Sequence, residues 1–250
     1  MMTESEFLQV KCDTANKAPG NLHLTDGYFC PRCHNKGQVY KPVNGDMVAS
    51  LCSCLPLRRV IRLANQSGIA AELERKTFAT FSVTEPWQAE LYRKAQQFIT
   101  STNPIFFISG QSGCGKTHLC TAICNEMIRA GRTTVYLDWI SVSKKLKATV
   151  NSDRYSEIIE QYLNTEVLYI DDFLKVKAGS EPTSADISLA FEILNSRLYQ
   201  RGKRTIISTE HLLDTLMELD EATASRIYEG AGEFALEVNR DRHKNVRIKG

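Results

Sequence analysis

The chain has 250 residues, with 31 Lys and Arg against 29 Asp and Glu, a net charge of +2, and 42% hydrophobic residues. That balance is ordinary for a globular protein, so no whole-chain charge argument points to nucleic acid, and any such contact must come from a local patch. No apolar run approaches the ~20 residues needed to span a bilayer, and the opening MMTESEFLQVKC is acidic and polar, unlike a leader; the expectation is a cytoplasmic protein with no membrane partner.

In a reducing compartment the eight cysteines are not expected to form disulfides. Cys12, Cys30, Cys33, Cys52 and Cys54 lie early, Cys114, Cys120 and Cys124 lie later, and the stretch between has none. The early group reads CxxC at 30/33 and CxC at 52/54. Between the pairs, GQVYKPVNGDMVASL alternates like a hairpin around an Asn44-Gly45 turn signal. Two thiolate pairs flanking a hairpin are the layout of a zinc ribbon, and Zn²⁺ favours four such soft ligands at a closed structural site. The segment is also too small to hold itself by apolar burial. Cys12 and His34 are the substitutes, although His34 directly follows Cys33 and would point poorly at the same ion. A zinc-ribbon-like module is expected over 1–56, with Cys30, Cys33, Cys52 and Cys54 as ligands.

Residues 57–85 read as a basic helical linker. Leu57, Val60, Ile61 and Leu63 alternate with Arg58, Arg59 and Arg62 as in an amphipathic helix. Its basic face suits phosphates or an acidic partner, and equally suits solvent. AAELERKTF reads as a second short helix.

The remainder, 86–250, carries the chemistry. PIFFIS is a continuous apolar run, as in a buried parallel strand. GQSGCGKT follows, then HLCTAICNEMIRAG with helical spacing and a Gly131 stop. Strand, glycine loop and helix form the context this phosphate-binding motif requires. The glycines let successive backbone N–H groups turn inward around a phosphate, and the helix N-terminus adds positive potential. The expected nucleotide contacts are Gly110, Gln111, Ser112, Gly113, Cys114, Gly115, Lys116, Thr117 and His118. Lys116 bridges the outer phosphates and Thr117 offers its hydroxyl to Mg²⁺. Cys120 and Cys124 read as core residues of the helix.

TTVYLDW reads as a second strand, SVSKKLKATV and SEIIEQYL as helices, and EVLYIDDFLK as a buried strand ending in two acids. Asp171 is the expected metal-side carboxylate, and Asp172 the residue that orients or deprotonates the attacking water. SADISLAFEILNSRLYQRG is a long helix and KRTIISTE a further strand, whose polar end, Ser208-Thr209-Glu210, would lie beside the terminal phosphate. LDEATASRIYEGAG is a late helix carrying Arg226, and FALEV closes with a strand before a basic tail.

The motifs CPRC…CSC, SGI…TFATF, GQSGCGKTHL, LYIDDF, TIIST and ASRIYE together resemble the AAA+ ATPases of the DnaC, DnaI and IstB helicase-loader type. The resemblance implies an α/β P-loop NTPase core with a parallel sheet and a reduced lid, preceded by the zinc module. It implies ATP and Mg²⁺ as cofactors beside Zn²⁺. Arg226 matches an arginine finger that acts on a neighbour's nucleotide, so self-association follows. Arg242, with Arg240 close behind, matches a second sensor. Relatives often carry Asn where Glu210 stands, which shifts the first sensor to Thr209 or Ser208. The implied function is loading a replicative hexameric helicase onto single-stranded DNA, the zinc module and basic linker gripping the helicase. Lys144, Lys145 and Lys147 lie where relatives contact DNA, although a solvated helix face fits them equally. The alternatives are an IstB-like transposition helper and a nucleotide-gated adaptor with little turnover.

Overall fold

The computed structural model describes residues 2–177 and 180–246, so 247–250, the end of the basic tail, lie outside the described residues. Backbone contacts divide the chain into two compact units, Met1–Asn65 and Gln66–Gly250.

The first unit opens with α1 (Glu4–Lys17), started by a Thr3/Glu6 capping box. A short α2 (His23–Asp26) follows, then the hairpin β1 (Gln38–Val43) and β2 (Asp46–Leu51) and the helix α3 (Leu55–Gln66). Asn44 and Gly45 have φ of 51° and 87°, the left-handed pair that a two-residue hairpin turn demands. Asn16 of α1 donates to the Tyr40 carbonyl at 2.9 Å and accepts from the Tyr40 amide at 2.7 Å, which closes the outer edge of β1.

The basic helix forms, but one of its arginines faces inward. Arg58 is fully buried; its guanidinium lies 2.5 Å from Asp26 Oδ1 and donates to Asn35 Oδ1 at 2.7 Å. Arg62 lies 3.8 Å from the other Asp26 oxygen. Arg58 is therefore a buried partner of Asp26 and not part of a basic surface. Asn35 also accepts from the Cys30 amide at 2.8 Å, so the ion pair ties the CxxC turn to α2 and α3.

The second unit contains α4 (Ala70–Arg75) and α5 (Pro86–Thr100), and then alternates strand and helix: β3 (Ile105–Gly110), α6 (Lys116–Arg129), β4 (Thr134–Asp138), α7 (Trp139–Thr149), α8 (Asp153–Asn164), β5 (Val167–Asp171), α9 (Ser184–Leu198), β6 (Arg204–Thr209), α10 (Leu213–Leu219), α11 (Glu221–Ala231) and β7 (Ala235–Val238). The strands form one parallel sheet in the order β4-β5-β6-β3-β7. β3, β5 and β6 are buried at every position, as expected when helices cover both faces. The main core joins Phe107, Ile170 and Ile207 of the sheet to Trp139, Ile193 and Ile227 of the helices.

The amino-terminal edge of this sheet is fastened by two buried arginines that bind backbone carbonyls. Arg197 donates to the carbonyls of Tyr162 at 2.7 Å, Thr165 at 2.9 Å and Arg204 at 2.8 Å. Arg204 donates to the Ser101 carbonyl at 2.8 Å, and its guanidinium sits 4.1 Å from the centre of the Phe98 ring. Burial pushes both guanidinium groups down to about 10. Among the described residues no helix is long and apolar enough to cross a membrane.

Removing Arg58 takes from the buried Asp26 its close, buried partner and leaves only the half-exposed Arg62 at 3.8 Å and the Tyr28 amide, and breaking a buried pair costs ~3–5 kcal/mol. Arg58→Ala is expected to lower the unfolding free energy of the amino-terminal unit by that amount in a denaturant titration. A loss below ~1 kcal/mol, the level of a surface pair, would contradict the buried placement.

Candidate nucleotide-binding site

A parallel sheet brings all its strand ends to one edge, and here the chemistry gathers at the carboxyl ends of β3, β5 and β6. The loop after β3 uses left-handed backbone at Gly110 (φ 137°), Gly113 (φ 80°) and Gly115 (φ 93°). A Cβ at Gly110 would collide with the Val238 backbone, so close strand packing demands glycine as well. Lys116 opens α6 and is buried; its ammonium donates to the Gly110 carbonyl at 2.6 Å and to the Gln111 carbonyl at 2.9 Å. Thr117 Oγ1 stands 3.4 Å from Asp171 Oδ1.

Asp171 is gripped from several elements. Tyr136 of β4 donates to its Oδ2 at 3.2 Å, the Asp172 amide donates to Oδ1 at 3.2 Å, and Ser208 of β6 donates to the same oxygen. Burial and the Asp171 charge push the Tyr136 phenol upward, so it remains a donor. The aligned carboxylate faces the Thr117 hydroxyl, which is the donor set a hard divalent cation takes from a protein while keeping water and phosphate oxygens as its other ligands. Asp172 is half-exposed, and its carboxylate lies 3.0 Å from the Lys175 ammonium.

The cleft along this edge, about 250 Å³, is lined by Lys76, Gly113, Lys116, Thr117, Asp172 and Lys175, among others. It thus gathers the loop, the metal-side hydroxyl and one acid of the pair. Several expected contacts have other partners. His118 points to the Thr77 carbonyl at 2.9 Å and meets the Phe81 ring edge-on at 5.2 Å. Gln111 exchanges two hydrogen bonds with the Asp241 backbone, at 2.6 and 2.8 Å. Ser112 lines the cleft, and Cys114 is buried beneath the loop with its thiol pushed up by burial. Cys120 and Cys124 are fully buried in α6, the core position read for them.

Two residues expected at the nucleotide, Thr209 and Arg242, are not brought to the cleft, and Arg226, expected to act on a neighbour, lies outside it. The Thr209 hydroxyl is buried and donates to the Phe173 carbonyl at 2.8 Å, which turns it away from any phosphate. Arg226 on α11 donates to Asn195 Oδ1 and to the Ala222 carbonyl, both at 2.9 Å, and lies 4.3 Å from the centre of the Phe191 ring. Arg242 is exposed in the short turn Arg242–Lys244. Of the lysines considered for DNA, Lys144 and Lys145 are exposed, whereas Lys147 is spent on the buried Asp186 at 2.6 Å. Two features escaped the sequence reading. Val246 donates from its amide to the Gly113 carbonyl at 3.0 Å, seating the tail on the loop. Lys175, three residues after Asp172, joins Asp172 to Glu210; its only sequence signal is a cation close to an acid pair.

The four early cysteines form a second centre within the amino-terminal unit. Their sulfurs all lie within 4.8 Å of one another and are buried. Cys30 and Cys52 are 3.9 Å apart, and Cys33 and Cys54 are 3.7 Å apart. A tetrahedral ion with bonds of ~2.3 Å needs sulfurs ~3.8 Å apart, so the set fits Zn²⁺. Burial opposes ionisation of Cys33, but the Gly37 amide at 3.3 Å and the neighbouring thiols bring it to about 7. Burial and the neighbouring thiols, opposed by Arg58, push Cys54 up to about 12. A cation bound among the four sulfurs would share the charge that burial opposes at Cys54. Cys12 is buried but stands outside this cluster.

The model of the Bacterial DnaA ATPase domain matches residues 74–232. Phage-like element PBSX protein XkdC of Bacillus subtilis is 29% identical over 240 residues, 89% of this chain and 87% of that protein. YqaM of the same organism is 29% identical over 209 residues, 79% of this chain and 66% of that protein. The replicative helicase loader DnaC of Escherichia coli is 28% identical over 116 residues, 44% of this chain and 47% of that protein. The chain therefore spans about two thirds of YqaM and about half of DnaC. Among solved structures, AMPPCP-bound DnaA from Aquifex aeolicus aligns with a TM-score of 0.53 and 23% identity over 70% of this chain and 52% of that one. A DnaC helicase loader aligns with a TM-score of 0.52 and 21% identity over 68% of this chain and 98% of that one. These structural likenesses show the fold, an α/β AAA+ core. The family match covers more than half of the sequence and runs through the glycine loop, the acid pair and α11, and the chain belongs to the family of the Bacterial DnaA ATPase domain.

Proposed function

We propose that the chain binds ATP with Mg²⁺ at the loop of residues 110–117, hydrolyses it in an assembly of several copies, and serves DNA replication by placing a replicative helicase on single-stranded DNA. The observation that carries the nucleotide reading is that Thr117, which lines one cleft with Lys116, also reaches Asp171, whose carboxylate is held by Tyr136, Ser208 and the Asp172 amide. The glycine loop offers backbone amides to the phosphates, and Lys116 exchanges two loop carbonyls for phosphate oxygens. Mg²⁺, held by Thr117 and Asp171, would neutralise charge on the outer phosphates. Asp172 would orient the attacking water.

Arg226 lies outside its own chain's cleft, and Asn195 and Phe191 hold it on the flank of α9. That placement supports a role toward a neighbouring copy. An arginine acting in this way supplies about 10³–10⁵ in rate. The helicase and single-stranded DNA come from the named relatives: DnaC is a replicative helicase loader, and a DnaA structure holds single-stranded DNA. Exposed Lys144 and Lys145 are the basic residues left for DNA on α7. The amino-terminal unit, built on a Zn²⁺ site of Cys30, Cys33, Cys52 and Cys54, would hold the protein partner.

Lys116→Ala is expected to weaken ATP binding by roughly 100-fold, about 2.7 kcal/mol, in a calorimetric titration, with the far-ultraviolet circular dichroism unchanged. Retained affinity would remove the loop from the site. Arg226→Ala should bind ATP as the parent does, yet lose at least about 10³-fold in turnover measured with single-stranded DNA and helicase present. Equal turnover would exclude the finger role, and tight binding with no phosphate release even in the parent would leave an adaptor that only switches on ATP. The purified chain should carry about one zinc by metal analysis; Cys30→Ser should lose it while the ATP affinity stays. A folded, metal-free parent would contradict the zinc centre.

A further inference from the structure

The phosphate cleft is lined by two lysines more than its glycine loop supplies. Beside Lys116 it holds Lys76 and Lys175, and the Lys175 ammonium lies 3.0 Å from Asp172 Oδ2 and 3.1 Å from Glu210 Oε1. The backbone is bent to place it there. Asp172 (φ 53°) and Leu174 (φ 57°) both take the left-handed conformation, which is strained for residues other than glycine. The turn persists because it is clamped to the end of β6. The Phe173 amide donates to the Ser208 carbonyl at 2.9 Å, the Thr209 hydroxyl donates to the Phe173 carbonyl at 2.8 Å, and the Lys175 amide donates to the Asp172 carbonyl at 3.0 Å. The Thr209 hydroxyl is thus used to hold this turn and is not available to a ligand.

Glu210 by itself is the wrong charge for a cleft that admits polyphosphate. Joined to Lys175 it becomes an anchor for a cation. Burial opposes the charge on Lys175, yet its bonds to Asp172 and Glu210 hold its pKa above the usual lysine value, so the ammonium persists at neutral pH. Asp172 and Glu210 together outnumber the single ammonium. A terminal phosphate, with more charge and three acceptor oxygens, competes well against one carboxylate for it.

We infer that Lys175 is the positioning residue that reads the terminal phosphate of a bound nucleoside triphosphate, with Glu210 as its anchor and Asp172 as the partner it releases. This rests on the nucleotide-binding reading above. It also gives Glu210 a task, because a sensor built from a lysine needs an acid where a neutral sensor would need an amide.

The test compares the affinities of ADP and of AMPPCP, a triphosphate that is not hydrolysed, by displacement of a fluorescent ADP analogue in the presence of Mg²⁺. In the full chain, Lys175→Ala should lower the preference for AMPPCP over ADP by about tenfold. Lys175→Arg should recover most of that preference, and Glu210→Gln should lose a smaller part of it. A lysine that merely props the turn would weaken both nucleotides together and leave their ratio unchanged. An unchanged ratio in Lys175→Ala, or in Glu210→Gln and Lys175→Gln if the alanine variant does not fold, overturns the assignment while nucleotide binding stands. A parent chain that binds neither nucleotide overturns both readings.

Discussion

The carboxylate of Asp171 accepts hydrogen bonds from Tyr136 on β4, Thr117 on α6 and Ser208 on β6, as well as from the Asp172 amide. A carboxylate buried at a strand end is costly unless its lone pairs are met, and these four donors meet them only if β4, β5 and β6 keep their parallel register and α6 starts where it does. The same requirement brings the glycine loop and the acid pair to one edge. Stability and site geometry are therefore imposed together, and a slip of one residue in β5 would put Asp171 on the wrong face of the sheet. At the opposite edge, Arg197 and Arg204 bind the carbonyls from which the strands set out, so the register is held from both ends.

The fold could be read largely from local pattern. Apolar runs separated by helical periodicity imply a parallel α/β core, and the core has that form. Four helices, α1, α2, α5 and α10, lie where no motif marked them, because a short helix or an amphipathic pattern with modest apolar content does not announce itself. The glycine loop, Thr117 and Asp171 come together because each sits at a strand or helix end, where sequence position dictates spatial position.

What escaped local reading consists of pairings between distant residues. A run of arginines in an amphipathic helix looks like a basic surface, yet Arg58 is committed to Asp26, 32 positions away, and one face of the helix is lost to the interior. Lys147 is consumed in the same way by Asp186. Thr209 is polar at a strand end, the expected place for a sensor, but its hydroxyl holds the Phe173 carbonyl. Each case turns on a partner that composition and periodicity do not name. Lys175 is the counterpart, an unremarked cation that becomes central once Asp172 and Glu210 are seen to share it.

The two centres divide the labour by chemistry. Buried sulfurs fit a structural ion, which would supplement the core of the small amino-terminal unit. Oxygen ligands at the sheet edge suit a hard ion that comes and goes with its nucleotide. The most direct test of the second centre is calorimetric titration of the chain with ATP, with Mg²⁺ and with the metal chelated, for the parent and for Asp171→Asn. The account predicts at least about tenfold tighter binding with Mg²⁺, some 1.4 kcal/mol, and loss of that difference in Asp171→Asn. Binding that ignores Mg²⁺ in the parent, or a Mg²⁺ dependence that survives in Asp171→Asn, would contradict it.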